Sequence, residues 1–336
     1  MIFPFTAIVG QEEMKTALIL NVIDPSIGGL LIMGEKGTAK STAVRALAEL
    51  LPEVPAVAGC RFQCDPSGTL CTECRERALH NGDFKTERKR MRVVELPLGV
   101  TEDRLVGTLD IERAIQKGEK RFEPGLLAEA NRNFLYVDEV NLLEDHIVDL
   151  LLDSAAMGVN TVEREGISFS HPARFILVGT MNPEEGDLRP QLLDRFGLCV
   201  QVASVREPKL RVEILRRKAA FDDDPATSSR AWVEEQEALA RRIVQAQTAL
   251  RSIPPADEAL TRIVRITAAL DLDGHRADIV MLKTARAIAA LRGKPAIGPE
   301  EVRDSASMAL RHRMKRLPFE EIGKDADRLQ SLVAAI

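Results

Sequence analysis

Residues 34–42 read GEKGTAKST and directly follow the apolar run LLIM. The stretch fits the phosphate-loop pattern G-x-x-x-x-G-K-[ST] at Gly34, Lys40 and Ser41. Ala39 stands where that pattern has its second glycine. The stretch is therefore either a nucleotide site that uses alanine in this position or an ordinary glycine-containing turn before a helix.

The flanking sequence favours the nucleotide site. Residues 28–34 are predicted to form a short buried strand and residues 40–51 a helix, which is the context that a phosphate loop needs. Backbone amides of the loop would face the phosphates, Lys40 would neutralise the β- and γ-phosphates, and Ser41 would ligate Mg²⁺. We therefore expect ATP and Mg²⁺ as ligands.

The alanine leads to a prediction about the backbone of the loop. Gly37 is expected to have a positive φ, because the chain must turn sharply there. Ala39 is expected to have the negative φ of a helix start, where a methyl group costs little.

Composition limits the classes of function. The chain has 336 residues, 45% of them hydrophobic, which is enough for two domains with their own cores. Its net charge of −5 gives no reason to expect nucleic acid as a partner. The first residues lack the features of a signal peptide, and no apolar run approaches the roughly 20 residues of a membrane span. We expect a cytoplasmic protein without a membrane span.

Alternating strands and helices predict an α/β fold, a P-loop wound parallel sheet followed by a smaller all-α lid domain. The predicted domains are an α/β domain at 1–205, a linker at 206–235 and a helical lid at 236–336. The polar stretch 222–229 is expected to break the helices. Further strands are predicted at 93–96, 133–137, 174–179 and 197–202, and helices at 143–156, 206–220, 231–250, 256–270, 276–292, 298–314 and 324–335.

Polar residues follow two of these strands. Asp138 and Glu139 come after an apolar strand, so Asp138 could hold Mg²⁺ and Glu139 could orient the attacking water. The alternative is an acidic helix start. Asn182 could hold the same water, or it could be a turn residue before Pro183.

Arg195 lies in the sequence Asp194-Arg195-Phe196. It could reach a phosphate as an arginine finger, which greatly accelerates hydrolysis when present. A local Asp–Arg ion pair is an equally good interpretation of these residues.

Four of the five cysteines lie within fifteen residues, in CRFQCDPSGTLCTEC. Cys60, Cys64, Cys71 and Cys74 could close a tetrahedral site, and Pro66-Ser67-Gly68 would supply a turn between the two halves. Zn²⁺ is the first choice and an iron–sulfur cluster the second, with free thiols or a redox pair as the alternative.

Cys199 stands in an apolar strand and is predicted to lie in the core. The basic run 85–92 is predicted to be a solvated loop or a protein-docking surface.

The order GEKGTAKST, FLYVDEVN, GTMNPEEGDLRPQLLDRFG and GHRAD resembles the AAA+ ATPases. More narrowly, the chain resembles the motor subunits of the magnesium and cobalt chelatases, in the helix-2-insert clade. LPLGVTEDRLVGTLDIERAIQKGEKRFEPGLLAEANR and NLLEDHIVDLLLDSAAMGVNTVEREGISFSHPARF carry this resemblance. Alanine in the second-glycine position also occurs in that clade, whereas the four-cysteine segment (within an insertion at 57–82) is a departure from many magnesium chelatase motors.

The resemblance implies a role for each candidate residue. Lys40, Asp138 and Glu139 would bind and hydrolyse ATP, and Asn182 would be the first sensor. Arg195 would be a finger donated to a neighbouring subunit, and Arg276 a second sensor that could also act on a neighbour's nucleotide. Residues assigned to the nucleotide are Ile8, Val9 and Gly10 at the adenine, and Gly34, Glu35, Lys36, Gly37, Thr38, Ala39, Lys40, Ser41 and Thr42 at the phosphates.

The resemblance also implies an assembly. A site shared between subunits implies a homo-oligomeric ring, usually a hexamer, and a clade insertion at about 93–130 would project towards partners or the pore. A second AAA+ subunit with an integrin-type domain and a large porphyrin-binding catalytic subunit would complete the enzyme. Its activity would be ATP-dependent insertion of Mg²⁺ into protoporphyrin IX; the alternatives are a cobaltochelatase motor and a MoxR-like chaperone for metalloproteins.

Overall fold

The computed structural model describes residues 1–81, 84–109, 122–164, 167–272, 274–314, 329 and 331–333. Most of the predicted helix 324–335 and residues 110–121 of the predicted clade insertion lie outside them. The chain divides into two compact units, one made of residues 1–50 and 180–336 and the other of residues 51–179. The domain boundary predicted at 205–235 stays a prediction.

A five-stranded parallel sheet has the strand order β11-β1-β10-β7-β4. Strands β7 and β10 are buried along their whole length, as expected for strands of a parallel sheet that is covered on both faces. All five predicted strands are confirmed, although β10 runs two residues further than expected. The five are β1 (Leu30–Gly34), β4 (Val93–Leu96), β7 (Phe134–Val137), β10 (Ile176–Met181) and β11 (Leu198–Val202).

The first unit holds the phosphate loop and the helices that follow residue 190. The polar stretch 222–229 was expected to break the helices, and this is wrong for most of it. Residues from Pro225 onwards form a short helix, because the Asp224 carboxylate accepts from two backbone amides and proline fits the first helical position. The helices are α1 (Glu12–Ile23), α2 (Lys40–Leu50), α7 (Pro190–Leu193), α8 (Pro208–Asp223), α9 (Pro225–Arg230), α10 (Val233–Ala249), α11 (Asp257–Ala269), α12 (Arg276–Leu291) and α13 (Pro299–Leu310).

The second unit carries three antiparallel strand pairs beside its part of the sheet. The basic run 85–92 was predicted as a loop or docking surface, yet Thr86–Lys89 forms β3 and pairs with β2 (Val54–Val57). This strand is largely exposed, so its charges remain solvated. The other pairs are β5 (Gly107–Leu109) with β6 (Phe122–Pro124), and β8 (Val159–Arg164) with β9 (Ile167–Pro172); the helices are α3 (Thr72–Asn81), α4 (Glu102–Val106), α5 (Leu126–Ala130) and α6 (Asp145–Met157).

Candidate functional site

Gly34 ends strand β1 and begins the phosphate loop with a φ of 146°. A Cβ atom at this position would lie 1.9 Å from the carbonyl oxygen of Val202 in the neighbouring strand β11. Only glycine fits such a close approach of two backbones. The first glycine of the motif is thus required by the sheet itself, and it starts the turn that leads to α2.

The backbone of the loop confirms one of the two conformational predictions. Gly37 has a φ of 80°, as expected. The prediction for Ala39 is wrong, because its φ is 62°, in the left-handed region. The last turn of the loop comes one residue later than expected, immediately before Lys40 begins α2. An alanine in that region costs roughly 1–2 kcal/mol relative to a right-handed conformation, so the methyl group has a real cost here.

Side chains of the loop make several contacts within the first unit. The Lys40 Nζ atom donates to the carbonyl oxygen of Gly34 at 2.7 Å, so the lysine folds back over the loop. Thr38 Oγ1 donates to the carbonyl of Glu35 at 2.9 Å, and Ser204 donates to the Glu35 carboxylate at 2.8 Å. Lys36 forms an ion pair with Glu185 at 2.7 Å. Ser41 and Thr42 are half-buried in the first turn of α2.

The segment assigned to the adenine lies just before α1. Ile8 is buried, and its carbonyl accepts a hydrogen bond from Lys15 at 3.1 Å. Val9 is half-buried, and Gly10 turns the chain with a φ of 72°. Both assigned side chains are apolar, so their chemistry suits a flat aromatic base.

Asn182 follows strand β10, as the strand-end prediction required. Its side chain accepts from the backbone amide of Glu184 at 3.3 Å and so caps the turn that begins at Pro183. The turn-residue interpretation is therefore realised in this structure. It does not exclude a sensor role, since the side chain is half-buried and its amide nitrogen is a separate donor.

Asp194 forms ion pairs with two arginines that come much later in the chain. Arg276, the first residue of α12, donates to Asp194 Oδ2 at 2.9 Å, and Arg313 Nε lies 3.1 Å from Asp194 Oδ1. Both arginines are far along the chain from Asp194, so these pairs are not the local Asp–Arg pair considered for Arg195. Arg195 itself is half-buried and adjacent to this cluster.

Sequence reasoning missed Arg313. Its side chain is 3% exposed and also donates to the backbone carbonyls of Asp194, Phe196 and Gly197. Burial lowers the pKa of Arg313 to about 10, while Asp194 opposes the shift, so the guanidinium stays charged at neutral pH. Arg313 stands in the basic run Arg311-His312-Arg313, and nothing in that run shows which of its side chains is buried against Asp194.

In the second unit, Asp138 and Glu139 follow strand β7 directly. Asp138 is exposed and accepts a hydrogen bond from the Tyr136 hydroxyl at 3.0 Å. Glu139 has a φ of 54° and a ψ of 55°, a left-handed conformation that glutamate rarely adopts. The alternative prediction for these two acids, an acidic helix start, is confirmed only in part, because a single 3-10 turn (Val140–Leu142) follows Glu139 directly. Such backbone strain is concentrated at functional sites.

The four cysteines of the second unit come together as predicted from their spacing. Their Sγ atoms all lie within 4.8 Å of one another, and all four side chains are buried. The predicted turn at Pro66-Ser67-Gly68 is present, with the Gly68 amide donating to the Asp65 carbonyl at 3.1 Å. Burial raises the pKa of Cys74 to about 12, and hydrogen bonds from Cys64 lower the pKa of Cys60.

Cys199 lies apart from this cluster, in the first unit. It is fully buried in β11, as predicted, and burial raises its pKa to about 12. Three of the histidines lie in ordinary packing or surface environments. His171 is buried, His146 is exposed beside Glu144, and His275 is exposed beside Asp278.

Comparisons with known proteins place the chain in a family. A family model described as magnesium chelatase, subunit ChlI, matches residues 111–191, and a model of the AAA lid domain matches residues 260–332. The magnesium-chelatase subunit ChlI homolog of Methanocaldococcus jannaschii is 54% identical over 332 residues, which are 99% of this chain and 91% of that protein. The magnesium-chelatase subunit ChlI of Nostoc sp. is 53% identical over 324 residues, 96% of this chain and 87% of that protein.

The chain belongs to the magnesium-chelatase subunit ChlI family. A solved assembly of the subunits BchI and BchD of magnesium chelatase contains a chain with 50% identity and a TM-score of 0.56, covering 98% of this chain and 99% of that one. A putative ATPase from Cytophaga hutchinsonii, with a TM-score of 0.64 and 16% identity, supports the fold alone. The predicted family and the AAA+ fold with an AAA lid are therefore confirmed.

The part of this ChlI-family chain that matches the lid model lies inside the lid predicted at 236–336. The match to the ChlI model includes Asp138, Glu139 and Asn182. Among the described residues of this ChlI-family chain, every helix is too short or too polar to cross a membrane.

Proposed function

We propose that this chain is the ATP-hydrolysing motor subunit of a magnesium chelatase, which drives the insertion of Mg²⁺ into protoporphyrin IX. The observation that carries the proposal is a complete phosphate loop in a chain that is 53% identical to a magnesium-chelatase subunit ChlI over 96% of its length. Magnesium gives up its bound waters reluctantly, which offers a physical reason for coupling its insertion to ATP hydrolysis.

The residues of the loop fit ATP. No atom lies within 4 Å of a Cβ built at Gly37, so the loop has open space there for a ligand. The loop leads into α2, an eleven-residue helix whose first amides favour anions. Lys40 would exchange the Gly34 carbonyl for phosphate oxygens. Bound Mg²⁺, held at Ser41 and Asp138, would neutralise phosphate charge.

The remaining candidates have roles around that nucleotide. Glu139 would orient the attacking water, and Asn182 would hold it through its side-chain amide. Arg195 and Arg276 would stabilise negative charge on the phosphates, within the chain or across a subunit interface. Arg276 would have to leave Asp194 to do so.

The proposed assembly is a homo-oligomeric ring of six subunits, which works with two other subunits in the cytoplasm. The solved assembly that contains a similar chain pairs BchI with BchD, which supports a second AAA+ subunit as a partner. A large catalytic subunit would hold the porphyrin.

The test is reconstitution of the chain with the two partner subunits, ATP, Mg²⁺ and protoporphyrin IX. The fluorescence of the metalloporphyrin product should rise with the wild-type chain and stay at background with Glu139→Gln. Glu144→Gln, a matched change of an exposed glutamate, should behave as wild type. Metal insertion by Glu139→Gln at the wild-type rate would refute the site, and activity with Co²⁺ and a cobalt-pathway tetrapyrrole alone would favour the cobaltochelatase.

A further inference from the structure

The four-cysteine cluster has the dimensions of a site for one metal ion. Cys60 Sγ and Cys71 Sγ are 3.9 Å apart, and all four sulfurs lie within 4.8 Å. With a Zn–S distance of about 2.3 Å, the sulfurs of a tetrahedral site are separated by about 3.8 Å. A disulfide would require about 2.05 Å between two sulfurs, so the cluster has not formed one.

We propose that Cys60, Cys64, Cys71 and Cys74 bind a single Zn²⁺ ion in a closed structural site. Four thiolates fill the tetrahedral coordination sphere, which leaves no position for water or substrate. All four side chains are at most 6% exposed, so a bound ion would be shielded from solvent. These features assign a structural and not a catalytic role.

The sulfur spacing favours a single ion over an iron–sulfur cluster. Such a cluster places several irons and bridging sulfides between its cysteines, so their sulfurs must stand further apart than in a one-ion site. The separations of at most 4.8 Å leave no space for that. A lone iron has the same geometry as zinc, and metal analysis separates the two.

Backbone amides and nearby cations would stabilise the charge of the site. Zn²⁺ with four thiolates carries a net charge of −2. The amide of Cys71 donates to Cys64 Sγ at 3.1 Å, and the amide of Cys74 donates to Cys71 Sγ at 3.4 Å. Cys60 also lines a cavity of about 580 Å³ together with the cations Arg61, Lys89, Arg92 and Arg104.

The site would fix an aromatic group that joins several elements of the second unit. Phe62 lies between two of the cysteines and is fully buried. Its ring stacks on His171 of β9 at 4.8 Å and on Phe122 of β6 at 6.3 Å. Its carbonyl accepts from Asn131 at 2.6 Å, in the turn before β7. Zinc would therefore hold both the β9 strand and the start of β7, the strand that Asp138 follows.

The test is metal analysis of the full-length chain, purified under reducing conditions without a chelator. Mass spectrometry of the metals should find about one zinc and little iron per chain. The Cys64→Ser and Cys71→Ser variants should lose the zinc, whereas Cys199→Ala, which removes a buried cysteine outside the cluster, should keep it. Stoichiometric iron would overturn the assignment of zinc, and metal-free folded protein would overturn the site.

A second measurement keeps the proposal testable if the variants fail to fold. Wild-type protein loaded with Co²⁺ should show the thiolate-to-cobalt charge-transfer bands of a tetrahedral four-sulfur site, and Zn²⁺ should abolish them. Hydrogen exchange of the wild-type chain should rise at 57–74 and 167–172 after zinc is removed. Absence of the cobalt bands would refute the coordination. Both readouts are independent of ATP hydrolysis, so they succeed or fail separately from the motor function.

Discussion

The phosphate loop at 34–42 and the cysteine segment at 60–74 differ in what they offer a ligand. The loop offers backbone amides and an exposed rim at Glu35, Lys36 and Gly37, and its partner residues are spread along the chain as far as Arg276. The cysteine segment offers four buried side chains from fifteen consecutive residues. The cysteine site therefore takes all its ligands from one local segment, whereas the proposed nucleotide site takes its residues from most of the chain.

Lys40→Ala gives the largest expected effect, because it removes the charge that we propose to face the phosphates. We expect ATP turnover to fall by at least about a hundredfold, as is typical when an electrostatic contact to the transition state is lost. Turnover is measured by phosphate release, with Lys209→Ala, an exposed lysine, as the control. The same variant should keep its full zinc content, since the two sites are separate; loss of zinc would show that they are coupled.

Phe62→Ala tests the cysteine segment through its packing. A fully buried phenylalanine contributes about 3–5 kcal/mol to stability, and its removal also takes away the ring that stacks on His171. Denaturant unfolding should show a loss of that size. Leu79→Ala, at a leucine that is 84% exposed, should change stability by no more than about 0.5 kcal/mol. Equal effects of the two variants would argue against the packed core at Phe62.

Two arginines that share Asp194 should differ in their contribution to stability. Arg313→Ala removes a buried, multiply hydrogen-bonded guanidinium and should cost about 3–5 kcal/mol. Arg276→Ala removes an ion pair whose side chains are 48% and 42% exposed, and should cost about 0–1 kcal/mol. Thermal unfolding of both variants measures the difference, and the reverse ranking would contradict the burial of Arg313.

Acid should destabilise both units through buried histidines. Burial lowers the pKa of His171 in the second unit, and burial followed by repulsion from Arg313 lowers that of His312 in the first. Above a pH of about 6.5, the pKa of histidine in the unfolded chain, neither imidazole changes the free energy of unfolding. Below that pH, each of the two histidines lowers the free energy of unfolding by up to about 1.4 kcal/mol per pH unit, until its imidazole is protonated in the folded chain as well. Denaturant unfolding between pH 7 and pH 5 measures the slope, which His171→Gln should reduce. A slope unchanged in that variant would assign the pH dependence to other groups.

Ala39→Gly gives the smallest expected effect. Glycine relieves the left-handed strain at this position, but it also increases the entropy of the unfolded chain, so the net gain should be about 1 kcal/mol or less. Denaturant unfolding measures it, and ATP turnover should persist. A loss of stability would mean that the strain at Ala39 is already relieved by its surroundings.

The sequence predicted the individual strands, most helices and the cysteine cluster, because each depends on residues that are close together in the chain. Strand β1, the loop and α2 follow from apolar runs beside a glycine motif, and the four thiols follow from their spacing. Residues 225–230 were predicted incorrectly, since the polar composition concealed the capping side chain of Asp224.

The long-range contacts could not be predicted. Nothing near Asp194 indicates that its partners are Arg276 and Arg313, because this pairing depends on how the chain returns after more than eighty residues. The φ of Ala39 was also out of reach, since alanine usually avoids the left-handed region and composition gives no sign of an exception. The strain at Glu139 went unpredicted for the same reason.

The buried guanidinium of Arg313 has a mechanical consequence. It holds the backbone carbonyls of Asp194, Phe196 and Gly197, on both sides of Arg195, and it lies in the 3-10 turn that follows α13. A rotation of α13 would therefore move Arg313 and, through its hydrogen bonds, the backbone on both sides of Arg195. Any movement of α13 during a nucleotide cycle would therefore reach Arg195, the residue that we propose as an arginine finger, without passing through the phosphate loop.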